Sequence, residues 1–379
     1  MMASLVRREP VVNRQKALTA SRLVVHASSA REAVQALNGL ADVWPATHSV
    51  MVALAGTEPD EALLEWRPPA NTLLEFPAPL FATAAGQALA GRLDAGGTPM
   101  CLGDYDPDVA LPVMPRFQFA LADARRFPHM PRAPAIPLAQ GLADHEAFGD
   151  AIDNGYAGAA GWFFLHGLPL GASKLNPGHA QIIHILNLVR QNGDIADIET
   201  ALKQDISISF KLLRYINSAG FGLATKIQSF RHAATMIGYN KLNKWLSLLL
   251  VTASRDPAAP ALMQTAIVRG RFMELAAAGA VDKSQLDNLF IAGSFSLLDA
   301  LLGSKIEAVL AEMNLPAALC DALLHRSGPY APYLELALAC EQEDFGVIAR
   351  QGEALGLLPA TINRAQVEAL AFADSLQLD

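Results

Sequence analysis

Residues 167–238 read GLPLGASKLNPGHAQIIHILNLVRQNGDIADIETALKQDISISFKLLRYINSAGFGLATKIQSFRHAATMIG. Ile182, Ile185, Leu186 and Val189 recur at i, i+3, i+4 and i+7, the spacing of one buried helical stripe. Ile195, Ile198 and Leu202 keep that period over a shorter helix, and Ile208, Leu212, Leu213 and Ile216 keep it over a third. Asn192-Gly193-Asp194 breaks the first from the second, Gln204-Asp205 separates the next two, and Gly220 and Gly222 follow the last. Asp205 or Ser207 is placed to cap the third helix by accepting from orphan backbone N–H groups. The stretch predicts a compact helical unit.

Reading outward, Asn217-Ser218 sits at a helix end before two glycines and reads as a backbone cap rather than a catalytic pair. Phe221, Ile227 and Phe230 cluster in the following loop as core plugs or a partner-contact patch, with packing inward the expectation for apolar residues beside glycine turns. Trp245 to Ala253 is the most apolar window, far shorter than a membrane span, and reads as a core helix. The last stretch, 360–379, repeats a helical pattern through Ile362, Val367, Leu370 and Phe372, suited to docking on the body or engaging a partner.

The first half has a different rhythm. Leu23–His26, Val50–Leu54, Thr72–Phe76, Met100–Leu102, Phe117–Leu121, Ile136–Leu138 and Trp162–Leu165 read as strands. Between them, Ala30–Leu40, Asp60–Trp66, Leu80–Leu93 and His145–Asn154 read as helices. That alternation predicts βα units around a parallel sheet or barrel. An eight-fold barrel typically takes roughly 250 residues, so a half that ends near Leu165 predicts a shortened or incomplete one. The proline-rich tract FPHMPRAPAIP, Phe127–Pro137, is expected to replace a helix with an irregular connection. An incomplete barrel would expose apolar strand faces, for the helical domain or a second subunit to cover.

At 379 residues, two domains are the natural expectation, divided here into 1–166 and 167–379. A composition of 52% hydrophobic and 17% charged residues is that of a globular chain. The net charge of −8 argues against a broad nucleic-acid footprint, which needs clustered Lys and Arg. Cys101, Cys320 and Cys340 are far apart and form no CxxC pair, as in a reduced cytoplasmic protein. The opening MMASLVRREPVV lacks an apolar run of signal-peptide length, and neither membrane nor nucleic acid is an expected partner.

Few catalytic patterns survive inspection. No GxxxxGK loop is present, and no GxGxxG follows a strand. Gly293-Ser294 suggests a nucleophile elbow, but Phe295 stands where that motif needs its serine. His179 and His184, five apart on one helix, point about 140° away from each other. His232 follows Arg231 at a helix start, and His325 lies beside Arg326. All four are assigned structural or surface roles.

The first half resembles the EAL family of cyclic di-GMP phosphodiesterases. REPVVNRQKALTASRLVV is similar to its opening strands, LLEFP to the strand with an acidic ligand, CLGDY to ALDDF, and FALAD to the strand reading KID. PLAQGLAD is similar to AEGVE, and AAGWFF to the QGYFF strand that closes the barrel. The resemblance implies a metal-dependent hydrolase site, yet its key positions differ. The name-giving glutamate falls at Arg22, the first ALDDF aspartate at Gly103, and the KID lysine at Leu121. The AEGVE glutamates fall at Gln140 and Ala143, and the QGYFF glutamine at Ala160. Glu75, Asp104 and Asp123 remain, too few to hold Mg²⁺ or Mn²⁺, and they read as ordinary solvated strand-end acids.

Residues 168–358 resemble the HDOD domain, an all-α output module distantly related to HD phosphohydrolases. KLLRYINSAGFG, KIQSFRHAATMIG and LFIAGSFSLLDALLG (Leu289–Gly303) carry the likeness, and no His-Asp dipeptide occurs. A degenerate EAL domain followed by HDOD is a known bacterial signalling arrangement. The resemblance implies an α/β barrel plus an all-α domain, with a non-catalytic role in cyclic di-GMP-related, motility or stress signalling. Other signalling proteins are the expected partners, with homo-oligomerisation left open, and no catalytic, metal or cofactor-binding residue is assigned. The rival expectations are a receptor that binds cyclic di-GMP uncleaved and a residual metal-dependent phosphodiesterase.

Overall fold

Alternating apolar runs in the first half form eight strands: β1 (Leu5–Asn13), β2 (Leu18–His26), β3 (Ser49–Ala55), β4 (Thr72–Pro77), β5 (Met100–Gly103), β6 (Phe117–Asp123), β7 (Ile136–Gln140) and β8 (Gly158–Ala160). The computed structural model describes residues 4–111, 117–130, 135–166, 177–204, 208, 211–212, 214, 216–217, 227, 229–253 and 259–376. By internal contacts the chain divides into two compact units. One is Met1–Gly167 with Ala339–Glu368, and the other is Leu168–Leu338 with Ala369–Asp379.

The strands close into a barrel in the order β1 to β8. Strands β2 to β8 run parallel, while β1 lies antiparallel to both β2 and β8. The sheet is therefore short in sequence but complete, which corrects the expectation of an incomplete barrel. Each strand contributes one residue to a single interior layer: Val11, Ala20, Met51, Leu73, Cys101, Leu121, Leu138 and Ala160. Small Ala20, Cys101 and Ala160 stand between larger neighbours, the mixture of sizes that fills a small barrel.

Two strand readings differ from the sequence. Leu5–Asn13 forms β1, although Arg7, Arg8 and Glu9 hid its alternation. Trp162–Leu165 is not a strand: the eighth strand is Gly158–Ala160, and Phe163–Leu165 forms a 3₁₀ turn. Gly161 adopts φ +124°, a conformation that ends the ladder there and suits glycine. The Asp60–Trp66 helix is only a 3₁₀ turn, Glu61–Glu65, and Leu80–Leu93 divides into Ala78–Phe81 and Ala84–Ala95 with Thr83 capping Gly86 N–H. The described part of the proline-rich tract, 127–130 and 135–137, holds no helix.

Because β8 is three residues long, it pairs only with Val11–Asn13 of β1. The free edge of β1 above that point is satisfied by residues that return from 339–368. Val6 N–H donates to Asn363 Oδ1 at 2.9 Å, Gln366 Nε2 donates to Val6 O at 2.6 Å, and Asn363 Nδ2 donates to Ser4 O at 2.9 Å. Phe345, at the start of helix Phe345–Ala354, stacks on His26 with centroids 4.9 Å apart. Side chains thus do for this edge what a longer eighth strand would do.

In the second unit, helix Pro177–Arg190 buries Ile182, Ile185, Leu186 and Val189, as its period predicts. Helix Ile195–Lys203 buries Ile198 and Leu202. The third predicted helix lies largely outside the described residues, as do Asp205, Ser207, Leu213, Gly220, Phe221 and Gly222, although Ile208, Leu212 and Ile216 are buried. Ile227 and Phe230 are core, as expected. Helix Phe230–Val251 breaks at Gly238, where φ is +75°, and its second part carries the buried Trp245–Val251 run. Among the described residues no helix is long and apolar enough to cross a membrane.

Candidate functional site

Strand alternation places a second interior layer above the apolar one, because residues i and i+2 share a face. Two steps along the parallel strands bring Arg22 on β2, Glu75 on β4, Gly103 on β5, Asp123 on β6 and Gln140 on β7 to the carboxyl-end mouth. On antiparallel β1 the same level is reached by stepping back from Val11 to Glu9, which faces Arg22 in register.

Arg22 dominates this layer. Its Nε donates to Glu75 Oε2 at 2.6 Å and its Nη2 to Glu75 Oε1 at 2.7 Å, while Nη1 donates to Glu9 Oε2 at 2.7 Å. Arg7 pairs with the other oxygen of Glu9. Arg22, Glu75 and Glu9 are all buried, at 8%, 6% and 7% exposure, so Glu75 is no solvated strand-end acid as the sequence suggested. Burial pushes the Arg22 pKa down, but Glu75 and Glu9 outweigh it and raise the value above the ordinary one. Burial likewise pushes Glu9 up, and Arg22 with Arg7 more than offsets this, holding its carboxyl below the usual range. In the layer beneath, burial and the Glu75 charge push the Cys101 thiol well up, so it remains protonated.

Gly103 completes the arrangement. A Cβ there would stand 2.6 Å from Glu75 Oε1, so the position left without a side chain is the one that Glu75 leans across. Asp104 follows, exposed and in the left-handed region at φ +49°. Asp123 is gripped by Arg125, whose Nε and Nη2 donate to it at 2.9 and 2.8 Å, and that hydrogen bonding lowers its carboxyl pKa. Arg126 pairs with Asp106 at 3.0 Å and lies over the Phe127 ring.

Of these residues Arg7, Glu9, Arg22, Asp104, Asp123, Arg125 and Arg126 line a cavity of about 530 Å³, together with Trp162, His166, Glu341 and Glu343. The Arg8 guanidinium lies 4.9 Å from the Trp162 ring centroid, and Arg8 N–H donates to Cys340 O at 3.5 Å. The three acids singled out from the sequence do not converge: Glu75 is tied to Arg22, Asp123 to Arg125, and Asp104 is exposed. Among the described residues no group of three or more His, Cys, Asp or Glu side chains is placed to hold a metal ion. A divalent cation needs those carboxylate oxygens, and the fixed guanidinium already occupies both oxygens of Glu75 and one of Glu9. The residues present do not fit the metal that an EAL hydrolase uses.

Glu9, Arg7, Glu341 and Glu343 escaped the sequence reading. Glu9 was detectable, since a charge two residues before an apolar Val11 in a strand must enter the barrel. The two later acids sit more than 170 residues beyond β8, and nothing local links them to it.

In the helical unit, His179 is buried and His184 exposed on one helix, so they face apart. His232 N–H donates to the Ser229 cap, and His325 ends helix Ala317–His325. The Asn217 side chain pairs with the Ile227 backbone: Nδ2 donates to Ile227 O at 2.8 Å, and Oδ1 accepts from Ile227 N–H at 2.7 Å. Ser218 lies outside the described residues. Gly293 is a packing residue, because a Cβ there would come within 2.6 Å of the Gly270 backbone on helix Ala259–Ala276. That close helix approach, rather than a nucleophile, accounts for the Gly-Ser pair.

Residues 179–296 match the HDOD domain family. The chain is 27% identical over 240 residues to the cyclic di-GMP phosphodiesterase CdgJ of Vibrio cholerae, covering 63% of this chain and 56% of that protein. It is 24% identical over 224 residues to YuxH of Bacillus subtilis, covering 58% and 54%. The chain thus spans about half the length of the curated relatives it matches. A solved structure described as a putative signal transduction protein from Marinobacter aquaeolei aligns over 98% of this chain and 92% of its own, at 13% identity and a TM-score of 0.35.

Proposed function

We propose that this HDOD-containing chain is a non-catalytic signal-transduction protein that acts through protein–protein contacts, with a degenerate EAL-type domain as its barrel. The HDOD match and the relative named a cyclic di-GMP phosphodiesterase support a place in cyclic di-GMP-related signalling. The observation that carries the loss of catalysis is the threefold grip of Arg22 on Glu75 and Glu9. Metal-assisted phosphodiester cleavage needs a metal-bound hydroxide, and here an immovable cation takes the carboxylates that would hold the metal. Incubation of the full chain with cyclic di-GMP and Mn²⁺ tests this; no conversion is expected, and conversion abolished by Asp104→Ala would overturn it.

A second reading, a receptor that binds cyclic di-GMP uncleaved, draws on the mouth cavity. Arg126 over the Phe127 ring and Arg8 over the Trp162 ring suit a ligand with phosphates and aromatic bases. Against it, Arg22 and Arg125 are already bonded to acids. Calorimetry separates the readings: micromolar affinity that Arg22→Glu alters favours the receptor.

A further inference from the structure

The chain leaves the barrel unit after Gly167 and re-enters it at Ala339. Both ends of that excursion border the mouth: His166, then Glu341 and Glu343 on the return, line the cavity. Residues 340–344 form no helix or strand, and helix Phe345–Ala354 begins directly after them. Asp344 caps that helix by accepting from Gly346 N–H at 2.7 Å.

The anchor of this stretch is a ring. Phe345 stacks on His26 with centroids 4.9 Å apart, and the Arg7 guanidinium lies 5.8 Å from the same ring. The contacts toward β1 are longer. Cys340 O accepts from Arg8 N–H at 3.5 Å, and Glu341 approaches the Arg8 guanidinium at 3.9 Å, both at the outer limit for such pairs. Gln342, Glu343 and Asp344 are exposed.

The cavity bordered by these acids is rich in cations. Arg125 and Arg126 line it with side chains 73% and 69% exposed. A guanidinium carries five N–H donors; Asp123 engages two of those on Arg125, and Asp106 one on Arg126. The remaining donors suit an incoming phosphoryl group. Hydrogen bonding to Asp123 is the first cause of a raised Arg125 pKa, and the Glu343 charge adds to it, so that acid lies within electrostatic reach. A mere connector would account for the irregular backbone of 340–344. It would not account for both glutamates lining a wall that carries Arg7, Arg22, Arg125 and Arg126.

We propose that residues 340–345 are an autoinhibitory strap. Seated by Phe345, it holds Glu341 and Glu343 at the mouth in place of a phosphoryl anion, which binds by displacing them. The strap controls access whether or not a cyclic dinucleotide is the natural ligand. Calorimetry on the full chain uses pyrophosphate as the probe, against chloride at matched ionic strength. Glu341→Gln with Glu343→Gln should bind it at least about tenfold more tightly than the unaltered chain. Charge alone could give that gain, so the deciding variant is Phe345→Ala, which loosens the strap and leaves every charge in place. It should bind at least about threefold more tightly. Hydrogen exchange on the unaltered chain keeps the test open should a variant not fold: amides of 341–346 should quicken at saturating pyrophosphate. Affinity in Phe345→Ala equal to that of the unaltered chain, no saturable heat in any of the three proteins, or unchanged exchange across 341–346 overturns the proposal.

Discussion

The guanidinium of Arg22 on β2 forks onto both carboxylate oxygens of Glu75 on β4, at 2.6 and 2.7 Å. A third donor reaches Glu9 on β1 at 2.7 Å, so one cation ties three strands at the barrel mouth. Taking one member out of a buried ion pair leaves a charge with neither water nor partner. Arg22→Ala should therefore lower unfolding stability by about 3–5 kcal/mol. Replacing the cation together with both acids, as in Arg22→Met with Glu75→Leu and Glu9→Gln, should recover much of that loss. Urea denaturation of the two variants checks the difference, and equal losses would contradict the pairing.

Acid should loosen the same cluster. Burial raises the Glu9 carboxyl, and Arg22 with Arg7 outweighs that, so its folded pKa lies below the ordinary 4.5. A lowered folded value means the stabilisation is fully present above the unfolded pKa and is lost as pH falls through the folded one. The denaturation midpoint should thus decline as pH drops below about 4.5. Glu9→Gln should be less stable at pH 7 but show a shallower decline on acidification.

Gly103 makes room for Glu75. A Cβ would approach Oε1 to 2.6 Å, and the Arg22 fork keeps that carboxylate from moving aside. Gly103→Ala should cost about 1–3 kcal/mol, the usual range for overpacking. Gly103→Asp should cost more, since it adds a third buried acid to one arginine. Thermal melts of the two variants order them.

The returning segment should stabilise β1 through two side chains. Asn363→Ala removes the acceptor of Val6 N–H and the donor to Ser4 O, at a cost of about 1–3 kcal/mol for stranded buried groups. Hydrogen exchange at Val6 should quicken in the variant, whereas exchange at Met51 on β3 should change far less.

Much of this was legible in residue order. The βα alternation and the strands from Leu23 to Leu138 followed from the apolar runs, and the helical faces from the stripes at Ile182–Val189 and Ile198–Leu202. Arg22 and Gly103 could be flagged because each stands where the EAL pattern has an acid. Their coupling could not be read, because the contact between Arg22 and Glu75 depends on β2 and β4 curling toward one another across the barrel. Closure was misjudged for a related reason: a three-residue β8 leaves almost no periodic signal, and its missing ladder is supplied by Asn363 and Gln366, two hundred residues away. Length arguments count helices and strands, whereas hydrogen bonds from a distant segment can close the same edge.

The most direct test of the central claim is chromatographic. The full chain is incubated with cyclic di-GMP and saturating Mn²⁺, and linear dinucleotide is measured over hours. With Arg22 fixed on Glu75 and Glu9, no product above the protein-free control is expected. Product that accumulates with time and disappears in Asp104→Ala would contradict it.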